Sequence, residues 1–331
     1  MDQAFAGVDI GGTRIKIGLA TETGQLLSCR VLNSGRYHDA ASLVEDVRSE
    51  IFRLASSVAV HVVGAGVGCP GRIDLTSGTP VWLKGKLEFL ESIPLGEQLA
   101  RALGCPVVCD NDVNAILAGE MRFGAGRGFR NVVALTIGTG IGGALVMDGR
   151  LVRGHNWGAG HFGYMSLDPH GAQHVCGNTG VVEAQASQSG VLAQLGEIHA
   201  RGEISPLTEA LSRRDQVGLR EVFECADAGD SLGTHLANQL ICGLGTLIAN
   251  LIYALDPEIV LLGGGIVTYR PALVVSLRRQ VMDRVRFLWP SGAKISPMAL
   301  GDASGILGGV AFAIDELART TYEVGNQGEV T

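Results

Sequence analysis

Two glycine-rich segments have the residue types needed to bind phosphate groups. GVDIGGT occupies positions 7–13 and TIGTGIGGAL occupies positions 136–145. Because glycine has no side chain, phosphate oxygens can approach consecutive backbone N–H groups at such turns, and threonine hydroxyls add donors. The predicted phosphate-binding residues are Gly11, Gly12, Thr13 and Lys16 in the first segment and Gly138, Thr139 and Gly140 in the second.

Asp9 lies within the first glycine-rich segment, where its carboxylate would face the bound phosphate. Two anions at such close range repel each other unless a cation lies between them. Carboxylate and phosphate oxygens are the usual ligands of Mg²⁺. We therefore expect Asp9 to bind Mg²⁺, directly or through water.

The elements that flank both segments are predicted strands. Gly138, Gly140 and Gly143 match GxGxxG, a dinucleotide-binding pattern that requires a helix after the loop. Here ALVMDGRLVRG follows, and its Asp148-Gly149 pair indicates a hairpin turn. The sequence AGVDIGGTRIKIGLA also indicates strand, turn and strand, and no P-loop sequence occurs. Either hairpin alone could be an ordinary turn, whereas two of them are less readily explained by chance.

A third polar segment, DNDVNAILAGE at 110–120, places three polar side chains just before a predicted helix. In phosphoryl transfer, positioning and charge stabilisation do most of the catalysis, and a carboxylate can take the alcohol proton as it leaves. Asp110 or Asp112 could instead be an ordinary helix N-cap.

Strands alternate with helical patterns along the whole chain, which predicts an α/β class with helix-covered sheets. A chain of 331 residues is longer than one core usually supports, so two lobes are expected. We place a small N-terminal lobe at 1–116 plus 303–331 and a large lobe at 117–302.

Composition restricts the functional classes. The net charge of −7 argues against nucleic-acid partners, because affinity for polyanions comes mainly from Lys and Arg. The seven cysteines have no paired spacing, which is typical of reduced thiols. We find no signal peptide and no apolar run of membrane-spanning length, and expect a cytoplasmic protein.

The two hairpins resemble the phosphate loops of the actin, sugar kinase and heat-shock ATPase superfamily. With DNDVNAILAGE, the CGNTG loop at 176–180 and DPEIVLLGGGIV at 256–267, they resemble the ROK family of bacterial sugar kinases and sugar-responsive repressors, over residues 7 to about 310. The resemblance implies a two-lobed actin-like sugar kinase (ribonuclease H-like) fold. It also implies ATP in the interlobe cleft, with Gly264 and Gly265 on the adenosine side.

Roles for the polar residues are implied by the same resemblance. Asp112 takes the position of the family's general base, and Asn111 that of a residue that binds sugar hydroxyls. CPGRID at 69–74 resembles the segment that lines the sugar pocket, with Gly71 against the substrate, although a plain turn explains this segment nearly as well.

The family's zinc motif is degenerate in this chain. Family members commonly carry ExGH followed by CxCGxxGCxE, whose His and three Cys bind zinc. Structural zinc requires about four nitrogen or sulfur ligands, and this chain lacks some of them, so structural zinc is not expected. Glu183 is still present and is expected to reach the sugar pocket. A rearranged site of His161, His170, His174 and Cys176 is the alternative. The replacements are His161 for the Glu, Tyr164 for the His, His174 for the first Cys and Val181 for the third, while Cys176 and Glu183 remain.

The resulting hypothesis is an ATP-dependent sugar kinase. Because His161 and Tyr164 replace two sugar contacts, we expect an acceptor that is not recognised in the usual glucose manner. The alternative is a non-catalytic sugar sensor. Only six residues precede GVDIGG, so we expect no DNA-binding segment of the kind that the family's repressors carry. A homodimer is a family expectation.

Overall fold

The computed structural model describes residues 2–83, 87–288 and 294–327, with side chains as far as residue 319. The first half of the chain forms β1 (Asp2–Ile10), β2 (Arg14–Ala20), β3 (Leu26–Asn33), α1 (Ala40–Ser57), β4 (Val60–Cys69), β5 (Arg72–Asp74), β6 (Thr79–Trp82), α2 (Leu95–Leu103), β7 (Val107–Asn111), α3 (Asp112–Phe123), β8 (Val132–Ile137), β9 (Ile141–Met147) and β10 (Arg150–Leu151). The second half forms α4 (Val182–Ala186), α5 (Gln188–Ala200), α6 (Pro206–Ser212), α7 (Leu219–Asp227), α8 (Ser231–Leu255), β11 (Ile259–Gly263), α9 (Gly265–Tyr269), α10 (Ala272–Arg284), β12 (Ile295–Pro297) and α11 (Ser304–Gln327).

The chain divides into two compact units. Unit 1 contains the described residues of Met1–Gly128, Leu151–Ala159 and Ala299–Thr331, and unit 2 contains those of Phe129–Arg150 and Gly160–Met298. The sequence predicts that the two lobes meet near residues 116 and 303, and these lobe boundaries stay a prediction.

Unit 1 contains a five-stranded sheet in the order β3-β2-β1-β4-β7. β1 and β2 form the first predicted hairpin, antiparallel with Asp9 opposite Lys16, while β4 runs parallel to both β1 and β7. One face packs against α1 and α2 through a large apolar core. The other face packs against α11. This arrangement brings the carboxyl ends of the parallel strands β1, β4 and β7 to one edge.

Glycines allow α11 to lie unusually close to this sheet and to α3. A Cβ atom at Gly66 of β4 would lie 2.0 Å from the carbonyl oxygen of Gly309, and one at Gly308 would lie 2.0 Å from that of Ala115 in α3. Neither distance is sterically allowed, so these positions require glycine. The abundance of glycine therefore serves packing between elements as well as turns.

Unit 2 contains a second five-stranded sheet in the order β10-β9-β8-β11-β12. β8 and β9 form the second predicted hairpin, and β11 runs parallel to β8 and β12. Asp148 and Gly149, at φ 52° and 78°, form the left-handed turn that their sequence predicts. Both predicted hairpins are therefore confirmed, as is the strand-to-strand connection at Gly138–Gly140.

The most apolar helix of unit 2 corrects one expectation from the sequence. α8 is long and apolar enough to cross a membrane by length and composition, although no run of that length was expected. Within the protein, 61% of its most apolar window is buried. Such burial is typical of the core helix of a globular protein.

Candidate active site

The turn of the first hairpin is held by hydrogen bonds from its own backbone and from β3. The Gly11 N–H donates to the Arg14 carbonyl at 2.9 Å, and the Ser34 N–H donates to the Thr13 carbonyl at 3.0 Å. Gly12 is half-buried, while Thr13 is exposed. Lys16 donates through Nζ to the Asp302 carbonyl at 3.1 Å, which directs this cation toward the chain just before α11.

Asp9 lies at the end of β1 beside the first turn of α11. A Cβ atom at Gly305 would lie 2.4 Å from the Asp9 carboxyl carbon, so helix and carboxylate are in close contact. Burial raises the pKa of Asp9, and the charge of Lys16 opposes that rise. Within residues 2–83, 87–288 and 294–327, no group of three or more His, Cys, Asp or Glu side chains could hold a metal ion. A Mg²⁺ ion that keeps several waters and phosphate oxygens needs only one or two carboxylates, so a lone Asp9 fits it.

Asn111, and neither neighbouring aspartate, caps the N-terminus of α3. Its Oδ1 accepts from the Val113 N–H at 2.9 Å and the Asn114 N–H at 3.2 Å, while its Nδ2 donates to the Gly71 carbonyl at 2.8 Å. The alternative in which Asp110 or Asp112 is the cap is therefore wrong. Asn111 retains one side-chain N–H for a ligand.

Asp112 is the first residue of α3 and is half-buried. Burial, followed by the negative charge of Asp9, raises its pKa to about 6. The hydrogen bond from the Val113 N–H opposes this rise. The two carboxylates predicted from separate motifs are therefore electrostatic neighbours, as expected where two carboxylates have different tasks.

Asp110 is buried and has a structural role that the sequence did not reveal. It pairs with Arg153 at 2.7 Å and accepts from the Asn114 side chain at 2.9 Å and the Asn111 N–H at 2.7 Å. These bonds fix the chain on either side of Asp112. Arg153 is 43 residues away in the sequence, and no local pattern connects the pair.

Gly71 adopts φ 82°, and a Cβ atom there would lie 2.0 Å from the Trp82 carbonyl oxygen. Only glycine is tolerated at such a position. Its own carbonyl accepts the Asn111 bond, so the Gly71 turn and the start of α3 are joined.

The second hairpin turn adjoins a cavity of about 250 Å³ in unit 2. The Gly138 and Thr139 carbonyls accept from the N–H groups of Gln188 and Ser189 at the start of α5, and the Gly138 N–H donates to Gly140. Gly264 adopts φ 100° directly before α9. The cavity is lined by Ile137, Gly138, Gln188, Leu219, Arg220, Gly265, Ile266 and Tyr269.

Arg220 and Tyr269 are among the cavity residues that the sequence did not predict. The Arg220 guanidinium lies 4.6 Å from the centre of the Tyr269 ring, and both side chains bond Glu224. Their cation–π contact places a guanidinium and an aromatic ring together in the cavity lining, and nucleobases stack on both kinds of group. An arginine and a tyrosine 49 positions apart carry no sequence signal for this arrangement.

The degenerate zinc loop forms a connected cluster in unit 2. Ring centres of His161 and Tyr164 lie 5.7 Å apart, and those of Tyr164 and His174 lie 5.5 Å apart. The His174 Nε2 is 3.5 Å from the Glu183 Oε1. Val181 and Val182 are fully buried below the loop. The His170 side chain is exposed and the Cys176 side chain is half-buried.

Comparison with known proteins identifies the family. The sequence profile of the ROK family matches residues 5–316. The chain belongs to the ROK family.

Several ROK proteins are similar to this one over nearly the whole chain. The glucokinase of Thermotoga maritima is 30% identical over 312 residues, 92% of this chain and 96% of that protein. The ROK hexokinase of Thermus thermophilus has a TM-score of 0.77 at 28% identity and covers 96% of this chain and 99% of its own. A ROK glucokinase of Streptomyces griseus, solved with glucose and AMPPNP, has a TM-score of 0.75 at 26% identity and covers 94% and 99%. The expected α/β, two-lobed actin-like sugar kinase fold is confirmed.

Proposed function

We propose that this ROK protein transfers the γ-phosphoryl group of ATP to a sugar hydroxyl, with Asp112 as the general base. The enzyme class, an ATP-dependent sugar kinase, agrees with the glucokinase and hexokinase relatives. The observation that carries the proposal is the place of Asp112, at the start of a helix capped by its neighbour and beside a second carboxylate.

The base is suited to its task by its environment. A pKa of about 6 leaves Asp112 ionised at neutral pH and more basic than an ordinary aspartate. It can therefore accept the hydroxyl proton as the oxygen attacks the phosphorus. Asn111 contributes its remaining side-chain N–H to a sugar hydroxyl, and the turn at Gly71 holds that amide in place.

ATP and Mg²⁺ are assigned to the glycine hairpins and to Asp9. Backbone N–H groups and hydroxyls at Gly12, Thr13, Thr139 and Gly140, with the Lys16 cation, would contact phosphate oxygens. The N–H groups of Gly11 and Gly138 close the two turns, and these glycines would contribute by leaving room for the phosphate. Asp9 would hold Mg²⁺, which neutralises charge on the phosphate oxygens. The cavity beside Gly138 and Gly265 would take the adenosine moiety, with Gly264 at its edge. The relative solved with AMPPNP supports this use of ATP.

The acceptor is proposed to be a sugar that is not bound as glucose is bound. His161 and Tyr164 replace a carboxylate and an imidazole of the family motif, which removes an anionic acceptor for two hydroxyls. Glu183 supplies the remaining carboxylate. The chain is further proposed to be cytoplasmic, homodimeric and free of structural zinc.

ADP release across a panel of hexoses, hexosamines and N-acetylated or acidic derivatives tests the kinase proposal. Wild type should turn over at least one sugar, and Asp112→Asn should lose at least about a hundredfold in kcat because no base remains. Asp2→Asn removes the same charge at an exposed position of β1 and should keep full activity. Sugar binding without any turnover in wild type would instead favour the non-catalytic sensor.

A further inference from the structure

We infer that His174 is a positioning residue that holds the Glu183 carboxylate in place where the family motif has a zinc ligand. The inference rests on the proposed function, because Glu183 is taken to contact the sugar. It extends that function by assigning the support of this carboxylate to an imidazole that stands where the family motif has a cysteine.

The two nitrogens of His174 have different partners, which determines its tautomer. The Cys176 N–H donates to Nδ1 at 3.3 Å, so Nδ1 carries no proton. In the neutral ring the proton must then be on Nε2, which faces the Glu183 Oε1 at 3.5 Å. The bond from the loop backbone thereby places the ring proton on the nitrogen that lies nearer to the carboxylate.

The second carboxylate oxygen of Glu183 also has a partner. Its Oε2 accepts from the Ile141 N–H at 2.7 Å, directly after the second glycine turn. A Cβ atom at Gly140 would lie 2.3 Å from the same oxygen. Both His174 and Glu183 side chains are only 17% exposed, so the pair is partly shielded from water. The carboxylate therefore connects the degenerate loop to the phosphate-binding hairpin.

The donor set does not fit zinc. Nδ1 of His174 is engaged by a backbone N–H and Nε2 faces a carboxylate, while Val181 offers no ligand atom. The Tyr164 ring is tilted by 52° against the His161 ring and by 38° against the His174 ring. Four nitrogen or sulfur ligands in a tetrahedron are not supplied by these contacts.

Two substitutions of His174 separate a positioning role from a merely structural one. In His174→Asn, the amide oxygen can still accept from the Cys176 N–H, but no donor reaches Glu183. In His174→Gln, the longer side chain can still donate to Glu183, but the loop bond is lost. Hydrogen exchange of the Ile141 N–H reports on the carboxylate without any ligand.

Positioning predicts that His174→Asn raises the sugar KM about tenfold with the ATP KM unchanged, and that Ile141 exchanges faster. His174→Gln should resemble wild type in both measurements, because the donor to Glu183 is kept. The inference would be overturned if His174→Asn behaved like wild type while His174→Gln raised the sugar KM. It would also be overturned if the Ile141 N–H exchanged at the wild-type rate in both variants.

Two further outcomes keep this inference distinct from the proposed function. If wild type turns over no sugar, the kinase proposal fails and Ile141 exchange alone decides the role of His174. About one zinc per chain by elemental analysis of the purified protein would overturn the inference even in an active enzyme.

Discussion

At the scale of single residues, the site depends on two carboxylates with different surroundings. Asp9 has Lys16 opposite it on β2, whereas Asp112 has the negative charge of Asp9 as its neighbour. Burial raises the pKa of both carboxyl groups; the negative charge of Asp9 adds to the rise at Asp112, whereas the positive charge of Lys16 opposes the rise at Asp9. The residue assigned as base is therefore the one whose proton affinity the structure increases most clearly.

The pKa of Asp112 predicts an acid limb in the pH profile. Its carboxylate is protonated below about pH 6, and a protonated carboxyl cannot accept the hydroxyl proton. We expect kcat/KM for the sugar to fall about tenfold per pH unit below that value and to level off above it. Initial rates between pH 5 and 8 check this, with circular dichroism at each pH to exclude unfolding. A flat profile down to pH 5 would contradict the assignment.

At the scale of elements, the glycines of α11 determine how closely this helix can pack against the sheet of unit 1. Its contacts with β4 and α3 are backbone to backbone, at Gly309 and Gly308. The same helix places Gly305 against Asp9, so its position and that of the carboxylate are linked. Interiors packed this densely respond to a single added methyl group.

Gly308→Ala should destabilise the protein by about 3 kcal/mol, because the new Cβ atom would lie 2.0 Å from the Ala115 carbonyl oxygen. Gly196→Ala is the matched control, since α5 leaves open space around that position. It should stabilise by about 0.5 to 1 kcal/mol through helix propensity. Urea unfolding measures both free energies. Equal effects of the two substitutions would show that α11 does not pack as described.

The sequence predicted those elements whose signals are local. The hairpins could be predicted because glycine turns and strand alternation lie within a few residues of one another, as at Asp148-Gly149. The pair of Asp110 and Arg153 could not be predicted, since 43 residues separate its members. The contact of His174 with Glu183 lies within one motif, yet the motif indicates metal ligands, and only the structure shows the imidazole 3.5 Å from the carboxylate.

At the scale of the whole molecule, ligand binding is expected to change global stability. A ligand that binds only the folded state stabilises it by about 2.7 kcal/mol at one hundred times its Kd. A Cβ atom at Gly138 would meet no atom within 4 Å, so the unliganded fold tolerates alanine there. Any effect of that substitution should therefore appear only with nucleotide bound.

AMPPNP with Mg²⁺ should raise the Tm of wild type by several degrees. Gly138→Ala should have the wild-type Tm without ligand and a smaller increase with it, because its methyl group would occupy space that a phosphate oxygen needs. Differential scanning fluorimetry over a nucleotide titration checks this. Identical shifts in both proteins would remove Gly138 from the nucleotide site.

The late position of α11 in the chain affects how the protein is made. The sheet that it covers is complete by Asn111, and a ribosome adds residues 112–303 before this helix appears. Phe5 and Ala20, which pack beneath α11, stay uncovered on the nascent polypeptide during that interval. Apolar surface exposed in this way is where chaperones bind and where aggregation starts. Unit 1 therefore cannot complete its packing before α11 has been synthesised.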